Sequence, residues 1–418
     1  MLAKWLILAL VLFRGVCSLV LNLVNYRSAG NPTPENVKDV YDAQTYETWK
    51  KYHAEHCRLE MIAEGISCVL VLILLATNLY AAFAALFPAG IFWQLFAVIL
   101  LETAVGSVVE SAKNYVSTMR IEQKYGFNRS TVKTFVADCI RGTLLNLGLS
   151  IGLSYLMYLF YSWMGAWMIL WFAVAMLCIT LIISFLYPFF SRIGNKFTPL
   201  EDGELKDNLL ALLNKHGYRV KAIEVMDASR RTTKLNAYFT GFGKMKTIVL
   251  FDNLLEAMST EEICAIFAHE LGHGLHKDVL KMQILNAGYL LMMAAAVWIT
   301  LEIPALYSPF GFAEVNYGFA YLLVGIILGA LMPLRDLAIN AHSRIAEYRA
   351  DRQAVEEGYG EAMITAFKKL AKDNFVHLAP ARISVLMEYS HPPISNRVEA
   401  VERAIAAKKA ADNTVDGR

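Results

Sequence analysis

The chain has 418 residues, 56% of them hydrophobic and 18% charged, with a formal net charge of +2. Ordinary domains carry about 25% charged residues, so this composition and a mean hydropathy of +0.40 point to a membrane protein rather than a soluble one. The near-neutral charge leaves no bulk signal for nucleic acid, and six scattered cysteines (Cys17, Cys57, Cys68, Cys139, Cys178, Cys264) with no CxxC pair argue against a disulfide framework or a thiolate metal site.

A spanning helix needs roughly 20 mostly apolar residues. Seven stretches qualify, at about 3–25, 61–86, 89–110, 143–163, 165–190, 282–305 and 317–338. The first opens with Lys4, as a signal peptide would, but it is long, carries Arg14 and lacks a small-residue cleavage site, so a retained helix is expected. The links near 87–89, 162–167 and 305–317 carry no Lys or Arg, whereas 112–142 and 191–281 are rich in them. The positive-inside rule then puts the N-terminus outside and the C-terminus in the cytoplasm. Within the spans, Arg14 and Glu64 are expected either to snorkel toward an end or to face an internal polar chamber. Glu102, in the middle of FAVILLETAVG, points to an internal polar chamber, because charges at membrane depth face a bundle interior or a water-filled cavity.

The expected organisation is mainly α and polytopic. Residues 1–190 form an N-terminal membrane region of five spans, with cytoplasmic loops at 26–60 and 111–142. Residues 191–281 begin a cytoplasmic α+β domain, 282–338 make a two-span hairpin, and 339–418 complete the domain and end in a polar tail.

The chemistry gathers in FAHELGHGLHKD at 267–278. Ser259 and Glu262 make a capping box ahead of it, and helical periodicity continues through the stretch. His269 and His273 are four apart and share a helix face, which is the HExxH spacing for zinc. Glu270 can lean over the same metal as a general base for the attacking water. His276 and Asp278 read as bystanders, Asp278 as a supporting or surface group.

A catalytic zinc usually takes a third protein ligand and keeps one position open. His342, His377 and His391 are available, but SRIAEYRAD at 343–351 leaves the membrane on the same side as HExxH and offers Glu347 and Asp351 four apart on a helix. Glu347 is therefore expected to complete the site. Asp351, one turn on, is placed to accept the free N–H of a liganding histidine.

These residues, with LNAYFTGFGKMKTIVLFDNLL (235–255), HPPISNRVEA (391–400) and IEQKYGFNRST (121–131), resemble the integral-membrane zinc endopeptidases of the CAAX prenyl protease 1 type over nearly the whole chain. The resemblance implies seven helices around a chamber and a gluzincin-type catalytic domain. It makes His269, His273 and Glu347 the ligands of one Zn2+ and Glu270 the base. It also suggests Asp351 as proton donor, Asn236 as a substrate contact and His391 as an oxyanion-stabilising group. Arg397 is expected to bind a carboxylate of the substrate. The stretch after Asn236 reads as two strands around a glycine turn, one of them an edge for an extended substrate. Gly274 stands where eukaryotic members usually have an aromatic residue, and no retrieval signal of the KDEL kind ends the chain, which fits a bacterial inner-membrane member. The expected function is a zinc-dependent membrane endopeptidase acting on a peptide or protein substrate, prenylated or membrane-derived. The rivals are a quality-control protease without prenyl specificity and a non-catalytic transporter or scaffold holding a structural zinc.

Overall fold

Each apolar run of the sequence folds as a helix, and a small sheet appears only where the hydrophobic period shortens. The structure, a computed structural model, describes residues 1–190, 192, 195–230, 235–240 and 247–416. The first helices are α1 (Leu2–Ser28), α2 (Ala43–Ala76), α3 (Leu79–Ala84), α4 (Ile91–Tyr115), α5 (Val132–Met164) and α6 (Met168–Phe190). Then come β1 (Phe197–Pro199), α7 (Glu204–Lys215), β2 (Ala222–Met226), β3 (Ala237–Thr240), β4 (Thr247–Phe251), α8 (Asp252–Ala257) and α9 (Thr260–Leu275). The chain closes with α10 (Asp278–Glu302), α11 (Tyr317–Glu356), α12 (Gly360–Asp373), α13 (Arg382–Glu388) and α14 (Ile394–Asp416).

Among the described residues, six helices are long and apolar enough to cross a membrane: α1, α2, α4 with its π-helical extension to Glu122, α5, α10 and α11. The remaining expected span, 165–190, is α6, of which a shorter apolar helix at Leu170–Thr180 is recorded. Several boundaries differ from the apolar runs. Helix α2 starts well before the run at 61–86, and α11 continues past it as a charged helix to Glu356. Polar residues extend both helices because a backbone already in helical geometry adds each further residue cheaply.

The chain divides into two compact units. The first comprises Met1–Tyr26, His53–Cys178 and Leu285–Asp336. Its core gathers Ile7, Leu75, Tyr80, Val297, Phe310 and Phe319 from five helices and their links. Large apolar side chains such as Leu144, Leu145 and Trp163 remain exposed on it, the kind of surface a bilayer covers. Within this unit Glu102 accepts a hydrogen bond from the Tyr80 hydroxyl. It also lines a polar cavity of ≈ 650 Å³ between α4 and α5, with Thr103, Ser107, Asn146 and Tyr321.

The second unit comprises Arg27–Tyr52, Ile179–Ile284 and Leu337–Arg418. Its sheet has the order β1-β2-β4-β3, with β2 and β4 parallel and the two outer pairs antiparallel. Strand β4 is central and buried from Thr247 to Leu250, whereas β3 ends the sheet among the described residues. The expected hairpin is thus β3 paired with β4, Ala237 facing Leu250; the turn at 241–246 lies outside the described residues. Helix α9 contributes Ile263, Phe267 and Leu271, all buried, to the core that this sheet shares with α7 and α12, and its start carries the full capping box of Ser259 and Glu262.

The stretch 26–60, read as a loop of the membrane region, is built differently. Residues 27–52 belong to the second unit, where Val37, Val40, Tyr41 and Trp49 enter its core. The Trp49 indole N–H donates to the Phe375 carbonyl at 3.1 Å, and the Tyr41 hydroxyl donates to the Ala371 carbonyl at 2.8 Å. Asn36 and Asn31 bond the carbonyls of Ser395 and Ala379. Trp49 is only 1% exposed. Trp49→Ala should therefore destabilise the second unit by about 3–5 kcal/mol. The check is earlier thermal unfolding and faster proteolysis between 374 and 400 in detergent-solubilised full-length protein.

Candidate active site

Helix α9 carries His269 and His273 one turn apart, and α11 brings Glu347 against them. The close approach has a local cause in Gly272. A Cβ on Gly272 would lie 3.0 Å from the Ala350 Cα and 3.0 Å from the Gln353 Cβ, so any side chain there would have to push α11 back by a few tenths of an ångström. Leu271, beside it, is fully buried in the core of this unit.

The three side chains converge. His273 Nε2 lies 3.3 Å from Glu347 Oε1, and His269 Nε2 lies 3.6 Å from Glu347 Oε2. Ligand atoms held about 2.0–2.1 Å from a tetrahedral ion sit roughly 3.3–3.4 Å apart, so this spacing fits one zinc-sized cation. One donor atom from each of His269, His273 and Glu347 lies within 4.8 Å of the others. The opposite nitrogen of each imidazole is already engaged, which leaves Nε2 to face the common point. His269 Nδ1 is 2.9 Å from Asp351, and His273 Nδ1 is 3.1 Å from Asp278. Two neutral imidazoles and a carboxylate, each tied from behind, are a suitable donor set for a divalent ion.

The electrostatics agree. Burial pulls the His273 pKa down, but its bonds to Glu347 and Asp278 and the charge of Glu270 raise it to about 9 overall. The surroundings thus favour positive charge at this point, which a bound cation supplies.

Asp351 accepts two bonds from Arg397, at 2.9 Å from Nε and 2.6 Å from Nη2, besides facing His269. With both oxygens occupied by donors, Asp351 is arranged to orient His269; a proton donor would need a free, protonated oxygen. Arg397, expected at a carboxylate of the substrate, is instead taken up by carboxylates of the protein. It pairs with Asp351 and with Glu347 at 3.2 Å, and its guanidinium lies 4.1 Å from the Phe367 ring centroid. Asp278, read as a bystander, is buried and holds His273 while accepting from Arg349. His276 caps the end of α9.

The other expected groups surround this point. His391, on the link before α14, has an exposed side chain with Nδ1 2.9 Å from Glu347. Asn236 is exposed just before β3. Both line a cavity of ≈ 510 Å³ with Glu270, Ile266, Phe367 and His377. A second cavity of ≈ 390 Å³ meets Glu270 from the other side, past His273. Of the alternative third ligands, His377 bonds Ser28 at 2.7 Å, and His342 lines the second cavity.

Gly272 and Arg349 carry no signal of their roles in the sequence, whereas Asp278, a carboxylate five residues past His273, takes the supporting place expected as one of its two readings.

Comparison with known proteins agrees with this architecture. Residues 199–405 match peptidase family M48, and residues 5–192 match a region described as CAAX prenyl protease N-terminal, five membrane helices. Over 333 residues the chain is 31% identical to CAAX prenyl protease 1 of Saccharomyces cerevisiae, covering 74% of this chain and 72% of that one. The human CAAX prenyl protease 1 homolog is 25% identical over 409 residues, covering 86% and 84%. The crystal structure of S. mikatae Ste24p superposes with a TM-score of 0.87 at 24% identity, covering 96% of this chain and 99% of that chain, which shows a shared fold. With a two-histidine, one-glutamate cluster in its second unit and six helices long and apolar enough to cross a membrane among the described residues, the chain belongs to the CAAX prenyl protease 1 family of multi-pass membrane metalloproteases, within peptidase family M48.

Proposed function

We propose that this protein is a zinc-dependent endopeptidase that cleaves near the C-terminus of prenylated proteins at the membrane. The observation that carries the reading is the convergence of His269, His273 and Glu347 beside the Glu270 carboxylate. The prenylated substrate is supported by the names of the relatives. When bound, zinc supplies a Lewis acid for the scissile carbonyl and lowers the pKa of a nearby water to about 7.

The protein's own groups do the rest. Glu270 takes a proton from the attacking water and passes it to the leaving amine. Asp351 and Asp278 hold the two imidazoles in the tautomer that presents Nε2. Arg397 keeps Asp351 and Glu347 ionised by staying charged among them: burial pulls its pKa down, but these carboxylates raise it overall. An extended substrate adds to β3 as a further strand, with Asn236 bonding its backbone. His391, exposed and close to Glu347, can swing to donate to the oxyanion of the tetrahedral intermediate.

The catalytic unit is assigned to the cytoplasmic side of a bacterial inner membrane. The Lys and Arg content of 112–142 and 191–281 supports the orientation, and Gly274 supports the bacterial source.

Glu270→Ala should keep zinc bound and lower kcat by at least the 10²–10⁴-fold of a general base. Cleavage at wild-type rate by that variant would refute the mechanism. The same variant serves as a trap: captured prenylated peptides are expected, and capture of unmodified membrane segments alone would favour quality control. Asp278→Asn should weaken zinc binding about 10–100-fold, read by competition with a chelator. For orientation, a Ser308→Cys probe is expected to react with an impermeant reagent from outside, and an Asp412→Cys probe only after permeabilisation.

A further inference from the structure

The outer edge of β3 is not open along its whole length. The Asn236 carbonyl accepts from the Phe251 N–H at 3.2 Å, so the main-chain groups of Asn236 face β4. These groups alternate in direction along an extended strand, so those of Leu235 and Ala237 face the other way, where β3 has no neighbouring strand among the described residues. An extended substrate pairs on that side. At Leu235 the place is already taken, because its N–H donates to Asn374 Oδ1 at 3.3 Å.

That bond fixes which way the Asn374 carboxamide is turned. A main-chain N–H can only donate, so the atom facing it is the oxygen, and the amide nitrogen keeps two N–H groups for another acceptor. Among the described residues that nitrogen has no hydrogen-bond partner, and it is not sealed from solvent. Asn374 is half-buried and lines the first cavity with Glu270 and Asn236. The backbone beneath it is held firmly. The Asn374 N–H donates to the Leu370 carbonyl at 3.0 Å, and Phe375 sits at φ 51°, the left-handed region that a residue with a bulky side chain seldom adopts. Trp49 and Tyr41 hold the carbonyls of Phe375 and Val376. A strained and braced residue at the wall of a cavity is the kind of feature that keeps one side chain in place for a ligand.

Strand direction decides which part of the substrate arrives there. A segment added antiparallel to β3, the slightly more stable pairing, runs from the Tyr238 end toward the Leu235 end. Its carboxyl-terminal part therefore reaches Asn374. That part brings acceptors, main-chain carbonyls and at the chain end a carboxylate, and an amide nitrogen with two N–H groups complements either.

We propose that Asn374 is a substrate-binding residue that closes the pairing edge of β3 and donates through Nδ2 to a carbonyl or carboxylate oxygen in the carboxyl-terminal part of the substrate. Its oxygen occupies the Leu235 N–H as the next residue of a longer partner strand would. The edge thus accepts a short segment, and the nitrogen holds the end of that segment. This deepens the protease reading and rests on it.

The test uses full-length protein and a set of peptides in which each carbonyl after the cleaved bond is replaced in turn by a thiocarbonyl, a weak acceptor, or the C-terminus is amidated. In the wild type one of these changes should lower kcat/KM by about 3–10-fold, the effect of losing a single hydrogen bond. In Asn374→Ala the same change should have less than about a twofold effect, because the donor is already gone. A sensitive thiocarbonyl assigns the partner as a main-chain carbonyl, and sensitivity to amidation alone assigns it as the terminal carboxylate. Equal sensitivity of the two proteins to every change sinks the contact. Asn374→Asp separates contact from scaffold. It keeps an acceptor for the Leu235 N–H but has no donor at neutral pH, so it should unfold at the wild-type temperature and still raise KM by about 3–10-fold. A wild-type KM in that variant would overturn the proposal. If the wild type cleaves no peptide, the protease reading falls by itself; binding of the same peptides to Glu270→Ala protein, with and without Asn374→Ala, still decides the contact.

Discussion

Arg397 grips Asp351 through two nitrogens with both side chains almost wholly out of water, and the centre depends on that ion pair. Asp351 then has a fixed position from which to hold His269, and Glu347 gains a cation 3.2 Å away. Removing one partner of such a buried pair typically costs about 3–5 kcal/mol, because the other charge is left uncompensated. The pair also fixes three helices to one another, since Arg397 is on α14, Asp351 on α11 and His269 on α9. A second, less buried copy of the device stands behind His273, where Arg349 holds Asp278. Each liganding imidazole is thus backed by an aspartate, and each aspartate by an arginine.

That arrangement requires close helix packing, and Gly272 provides it. A methyl group there would press on the backbone of Ala350 and on the Gln353 side chain. The HExxH segment therefore has two tasks. Its histidines converge with Glu347, and Gly272 helps to set how near that carboxylate comes. Segment 27–52 supports the same unit from the far end of the sequence, with Trp49 and Tyr41 bonded to carbonyls at 371–376. The loop they brace also carries His377 on the wall of the first cavity.

Much of this was legible in the sequence, for reasons that can be named. A helix of about 3.6 residues per turn puts i and i+4 on one face, which makes His269 and His273 neighbours whatever surrounds them and pairs Glu347 with Asp351. Apolar runs long enough to span a bilayer are visible by length alone, as α1, α5 and α10 show. The capping box at Ser259 is a local hydrogen-bond pattern, and it formed as read. Ends of helices were less legible: α2 begins in a polar stretch and α11 continues into one, because tertiary contacts can carry a helix past its apolar run.

Local periodicity determined the membrane helices, the HExxH helix and the two i,i+4 pairs, His269 with His273 and Glu347 with Asp351. It could not determine the partners of charged side chains that meet across the chain. Arg397 sits 46 residues from Asp351, and Asp278 sits 71 residues from Arg349. Nothing in the local pattern says whether an arginine will face a substrate or a neighbouring carboxylate. Only the packing of α9, α11 and α14 decided that Arg397 belongs to Asp351, that Asp278 belongs to His273, and that residues 27–52 join the catalytic unit. The physical reason is that burial makes an unpaired charge too costly to leave alone, and the folded chain chooses which pairs are within reach.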